Sequence, residues 1–302
     1  MSALTSIRDI YLVGRFEVLR AVRTWRAMAL FVLYGIAATG AAFLFTRLVK
    51  TMENALARQM GVPETEVPGA MLQELMNSDT FRSMLEGMVG TQDAVDEILG
   101  IPILAIFNLW FGFILIPFFA ASASAESIAI DMQSRAIRYE VLRTGRLELV
   151  IGRFLGQLVL TAGATSIACI GVWVVGMYLM RGNMAMTLAF WLIWLSVRAW
   201  FFSIPFVGVG MGMSQMTTSP AWARVLAVGV TAGSWVAYGV ARSAEDSERY
   251  GIPADLVLQI LPQGHMQAMW EPVGWLWSAA ICALLGVVAL MAGYTRFARR
   301  DL

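Results

Sequence analysis

The sequence predicts an all-α, polytopic membrane protein with six transmembrane helices, and three observations carry that expectation. Apolar stretches recur at 27–49, 101–125, 150–180, 185–213, 222–241 and 272–295. Each can cross the roughly 30 Å of bilayer hydrocarbon, which takes about 20 helical residues. The composition, 58% hydrophobic and 14% charged with a mean hydropathy of +0.67, lies outside the range of water-soluble domains. The charged residues gather between the stretches, and the balance of sign changes from one connection to the next. Lipid offers the backbone no hydrogen-bond partners, so the spans must be helices that satisfy their own N–H and C=O groups.

With the amino terminus placed inside, the inner segments hold 14 basic and 7 acidic residues and the outer segments 7 basic and 14 acidic, Arg198 lying within a span. Basic residues favour the cytoplasmic side, so both termini are expected to be cytoplasmic. The basic region before the first span is about 26 residues long and patterned, unlike the short n-region of a cleavable signal, so none is expected. Cys169 and Cys282 both fall inside spans and read as small apolar packing groups, which leaves no disulfide framework. A single membrane domain over 1–302 accounts for the chain.

Taken in order, residues 7–26 read as an amphipathic helix on the inner membrane face. At about 100° per residue, Ile7, Ile10, Tyr11, Gly14, Val18, Ala21, Val22 and Trp25 share one sector. Arg8, Arg15, Arg20, Arg23 and Arg26 fall outside it, where they would meet anionic headgroups, although Leu12, Phe16 and Leu19 blur that side. Beyond the first span, 51–99 is acidic, with nine Asp or Glu, and Pro63, Pro68 and Gly69 punctuate it. Met71, Leu72, Leu75 and Met76, then Phe81, Met84, Leu85, Met88 and Val89, recur at helical spacing and predict a small extracytoplasmic helical loop. It would rest on the outer ends of the spans or on a partner protein.

The connection between the second and third spans, 126–149, is the longest on the inner side. Charges recur through it at Asp131, Arg135, Arg138, Glu140, Arg143, Arg146 and Glu148. Asp131 and Arg135 stand at i,i+4 in the order that favours an ion pair on a continuous helix. Ile130, Ile137, Tyr139, Val141 and Leu142 add apolar surface that a solvated loop would not need. A short helix of this mixed kind suits docking into a partner's groove.

In the third and fourth spans, Gly152 and Gly156 and the series Gly208, Gly210 and Gly212 permit close helix approach. Arg198 sits mid-span among Trp191, Trp194 and Trp200. A central arginine costs about 2.5–3.5 kcal/mol on insertion scales, so it should face protein or water. It is a candidate to line a path for an anionic or lipid-like cargo, the alternative being a snorkelling or carbonyl-paired side chain. Residues 243–271, with Pro253 and Pro262, should form short extracytoplasmic helices that dip back before the last span.

Missing groups exclude much chemistry. The only lysine, Lys50, follows Leu48-Val49, so there is no Walker loop to hold ATP phosphates. One histidine, His265, and two span-embedded cysteines cannot build a zinc site, and the His-Glu-x-x-His pattern of hydrolases is absent. Met177, Met180 and Met184 could offer soft sulfur to Cu(I), but flexible packing is the plainer reading. No catalytic residue, no metal and no nucleic-acid partner is expected, and an intramembrane enzyme ranks last.

The run Asp131-Met-Gln-Ser-Arg-Ala-Ile-Arg-Tyr-Glu-Val-Leu-Arg-Thr-Gly-Arg146, followed by Leu-Glu-Leu-Val-Ile-Gly-Arg153, resembles the coupling-helix region of ABC type-2 permeases. Val141-Leu142 match that family's apolar pair, Arg146 the arginine after its turn, and Gly152 the glycine that opens its third span. Thr144-Gly145 replace the usual proline turn and Arg153 replaces lysine, though Gly145 can still turn the chain. Pro117–Glu126, Ser214 with Ser219–Ala223, and Phe297–Leu302 are similar to further family segments, so the resemblance covers nearly the whole chain. It implies a plasma-membrane permease subunit, an exporter in the leading reading, completed by a second copy or a paralogue and surrounded by membrane lipid. It implies no cofactor on this chain, with ATP and Mg on a separate ABC ATPase that docks on Asp131, Arg135, Arg138, Tyr139, Glu140, Arg143 and Arg146. The competing reading is a membrane subunit that transmits force to, or anchors, an extracytoplasmic protein without moving cargo.

Overall fold

The computed structural model describes residues 3–60, 78, 82–83, 99–179, 185–244, 251–271 and 274–300. The acidic loop expected within 51–99 therefore lies almost wholly outside the described residues beyond Met60. The described chain is helical: α1 Ala3–Arg23, α2 Trp25–Met60, α3 Ile103–Ser124, α4 Ala129–Gln133, α5 Ile137–Thr144, α6 Arg146–Leu179, α7 Ala185–Met216, α8 Pro220–Ala244, α9 Gly251–Ile260, a 3-10 turn at Pro262–His265, and α10 Gly274–Ala298. Six of these helices, α2, α3, α6, α7, α8 and α10, are long and apolar enough to cross a membrane, at the places the hydropathy predicts. The first runs about three turns further than its apolar stretch, because Arg47–Met60 is rich in good helix formers and free of Pro and Gly. Residues 245–250 and 272–273 are not described. Within 251–271 the proline signals do mark a short helix and a tight turn.

Two compact units divide the contacts. The first comprises 1–31, 113–163 and 198–302. Its centre is aromatic: Phe113 meets Phe202 edge-on at 4.8 Å between centroids, and Phe202 meets Phe206 at 5.5 Å. Here α1 lies against α6 through glycine. A Cβ added at Gly152 would stand 2.7 Å from both the Ile10 carbonyl oxygen and the Val13 Cβ, and one at Gly156 would stand 2.9 Å from the Glu17 Cβ. Gly152→Val is therefore expected to push α1 away, costing about 1–3 kcal/mol of stability by overpacking. Thermal melting and limited proteolysis at the α1–α2 junction check this, and an unchanged melt with a protected junction would contradict it.

The apolar sector read from the sequence of α1 is divided by this packing. Ile10, Gly14 and Ala21 turn toward the protein, whereas Ile7 and Tyr11, each 66% exposed, face outward beside Phe16 and Val22. The α6 surface draws the side centred on Val13 and Glu17, so Arg8 and Arg15 are left flanked by apolar side chains on the open face. That alternation suits a helix lying at the headgroup level.

At the far end of the first unit, Arg198 is buried and its Nη1 donates to the carbonyls of Met269 (3.0 Å) and Trp270 (3.1 Å). Its guanidinium lies 5.6 Å from the Trp275 ring centroid. Gln263 donates to the Ser234 hydroxyl at 2.7 Å, which ties the 3-10 turn to α8. The second unit comprises 32–112 and 164–197. Phe45 and Phe107 stack in it at 4.2 Å, and the Trp173 indole donates to the Ala185 carbonyl at 3.0 Å.

Candidate partner-docking site

The connection 126–149 folds as two short helices separated by a sharp reversal. α4 has no side-chain cap of its own at Ile128. The Ser214 hydroxyl of α7 instead accepts from the Ile128 and Ala129 backbone N–H groups, both at 2.9 Å. A helix N-terminus has free N–H groups that need such a partner. α4 stops at Gln133, and Arg135 takes a left-handed φ of 62°, an uncommon conformation for a residue with a Cβ. The i,i+4 pair expected between Asp131 and Arg135 is accordingly not made, because no continuous helix joins them. After α5, Gly145 at φ 76° turns the chain into α6, so glycine does the work of the family's proline turn.

Asp131 looks inward. It accepts a bidentate pair from Arg20 of α1, at 2.7 and 2.9 Å, and an ion pair from Arg153 of α6 at 2.6 Å. The Asp131 carboxylate, through that hydrogen-bonded pair, holds the Arg20 proton more tightly than an isolated guanidinium would. Arg153 is almost fully buried and also reaches Glu140 of α5 and the Ser127 carbonyl. Glu17 of α1 accepts from the Ser127 hydroxyl and from the Gln157 amide, both at 2.8 Å. Arg146 donates to the Phe297 carbonyl at 3.3 Å and to that of Ala298, at the end of α10. Glu126 pairs with Arg224 at 2.5 Å.

These bonds divide the residues singled out in the sequence. Asp131, Glu140 and Arg146 hold the segment to α1, α6 and α10. Arg135, Arg138 and Arg143 are exposed, together with Tyr139 (76% exposed) and Leu142 (85%). The outward face of α5 is thus an aromatic and an aliphatic side chain between arginines. Arg198 lies apart from this face, bound to carbonyls. The sequence reading gave Glu17, Ser127 and Gln157 no role and took Ser214 and Arg153 only as motif positions; Arg20, expected to meet headgroups, turns inward to Asp131 instead. Arg153 and Gln157 carried a signal nonetheless: polar groups one turn apart at the start of a span need buried partners. Among the described residues no cluster of His, Cys, Asp or Glu could hold a metal ion.

A family model described as ABC-2 family transporter protein matches residues 13–302, which takes in α5, the buried charges beneath it and all six long helices. No curated protein matches the chain.

Proposed function

Because this chain belongs to the ABC-2 transporter family, and is thereby a multi-pass permease subunit of an ABC transporter, we propose that it forms half of an ATP-driven exporter in the plasma membrane. A second copy or a paralogue completes the path, and both termini face the cytoplasm, as the distribution of arginine favours. A separate ABC ATPase supplies ATP and Mg and docks on α5. The observation that carries this reading is the exposed face of Arg138, Tyr139, Leu142 and Arg143 on a helix braced from behind by buried ion pairs. A docking element must present contact groups and also resist being pushed into its own protein. The brace supplies resistance, and the tyrosine and arginines are the residue types that dominate interface energies. ATPase closure would press α5 and, through Asp131 and Arg153, move α1 and α6 as semi-rigid bodies. The chain's role is mechanical, with no chemistry of its own.

The tagged chain purified in mild detergent from its native host should bring a soluble ATPase with it. A stable complex holding an extracytoplasmic protein and no ATPase would overturn the reading and favour an anchor or force transmitter, which the acidic sequence of 51–99 would suit.

A further inference from the structure

At the break between α1 and α2 the first unit holds a cavity of about 450 Å³. Its lining includes the apolar Trp25, Leu30 and Phe31 and the polar Glu17, Ser127 and Gln157. Trp25 stands at the mouth, 85% exposed, immediately after the Thr24 break. Three charged groups line the space: Glu17, Arg20 and Glu126. Arg20 is engaged bidentately by Asp131, and Glu126 by Arg224. Glu17 is 5% exposed and, among the described residues, makes no ion pair within 4 Å, although the Arg153 and Arg20 charges act on it from further away. Its Oε1 takes both neutral hydrogen bonds, from Ser127 and Gln157, and its Oε2 has no hydrogen-bond partner among the described residues. Among the described residues this partly buried cluster sets three carboxylates, Glu17, Asp131 and Glu140, against two guanidiniums, Arg20 and Arg153.

We propose that this cavity binds an ammonium headgroup carried on an apolar tail, with the ammonium against Glu17 and beside the Trp25 ring and the tail along Leu30 and Phe31. Carboxylates that outnumber the guanidiniums beside them in a largely buried site are costly, and an incoming ammonium removes that imbalance. The exposed Trp25 ring adds cation–π attraction to the same charge. An anionic head would meet carboxylates, and an untailed cation would leave the apolar wall uncovered. A bilayer lipid such as phosphatidylethanolamine and a soluble alkylammonium both carry this chemistry. The inference needs only a membrane protein with this cavity, so it stands or falls apart from ATPase docking.

The test is native mass spectrometry of the purified full chain in a neutral sugar detergent, titrated separately with phosphatidylethanolamine, phosphatidylglycerol and dodecylammonium. Glu17→Gln keeps an oxygen that accepts from Ser127 and Gln157 and removes only the charge. It is expected to weaken ammonium binding about tenfold or more and leave phosphatidylglycerol adducts unchanged. Trp25→Leu, at an exposed position, should weaken the same binding by roughly threefold to tenfold. Loss of a phosphatidylethanolamine adduct in both variants assigns the ligand to the bilayer; loss of dodecylammonium alone assigns it to a soluble amphiphile. Equal ammonium binding by the parent protein and both variants would overturn the proposal, as would phosphatidylglycerol binding with the same Glu17 dependence. Should Glu17→Gln not fold, unchanged affinity in Trp25→Leu overturns it by itself.

Discussion

Arg153→Met should destabilise the protein by about 3–5 kcal/mol, the cost of removing one partner from a buried ion pair. The side chain is about the right length, so little cavity is created and the loss is electrostatic. Asp131 and Glu140 would both lose a cation, the Ser127 carbonyl its donor, and α5 its tie to α6. Arg153→Lys should recover only part of the loss, because one ammonium cannot reproduce a planar fork that reaches two carboxylates and a carbonyl. Thermal melting of the purified protein in detergent provides the measurement. A melting temperature within a degree of the parent's for Arg153→Met would show that the network contributes nothing net. A melt in which lysine substitutes fully would show that charge alone, not the fork, is required.

The second large effect is expected at the surface and has the opposite signature. Arg138→Glu with Arg143→Glu, and separately Tyr139→Ala with Leu142→Ala, alter groups that face outward. Exposed substitutions of this kind usually change folding stability by about 0.5 kcal/mol or less. On the proposed reading they remove interface anchors, each worth about 2 kcal/mol or more, or roughly 30-fold in ATPase affinity. The expected result is a normally melting permease that no longer retains its ATPase on purification. A variant that retains the ATPase undiminished would take docking away from α5. Arg146→Glu is unsuited to this experiment, since Arg146 holds the end of α10 and its loss would confuse unfolding with undocking.

The contrast between these two experiments marks how far the sequence could be read. Six spans were legible because their signal is local: a run of apolar residues long enough for a bilayer needs no knowledge of its neighbours. The proline-marked helix and turn within 251–271 were legible for the same reason. Which charges of 126–149 face outward was not. The partners of Asp131 lie 111 residues upstream and 22 residues downstream, and sequence spacing says nothing of such pairs. The i,i+4 rule misled at Asp131 and Arg135 because it presumes a continuous helix, whereas the left-handed Arg135 ends one. In α1 the 100° wheel found an apolar sector, but the glycines of α6 decided which part of the helix was covered. Arg198 was recognised as costly, and the carbonyl pairing foreseen as one arrangement for it is present.

The cap on α4 has a consequence for how the protein is made. A five-residue helix has little stability of its own, and its first two N–H groups wait for a hydroxyl that lies 86 residues further along the chain. The same connection waits again for the Phe297 and Ala298 carbonyls, about 150 residues beyond Arg146. The surface beside α5 is thus a late product of biosynthesis, finished only after the fourth and sixth spans have been threaded into the bilayer. A chain cut short before these residues lacks the hydroxyl and carbonyls that shape this surface.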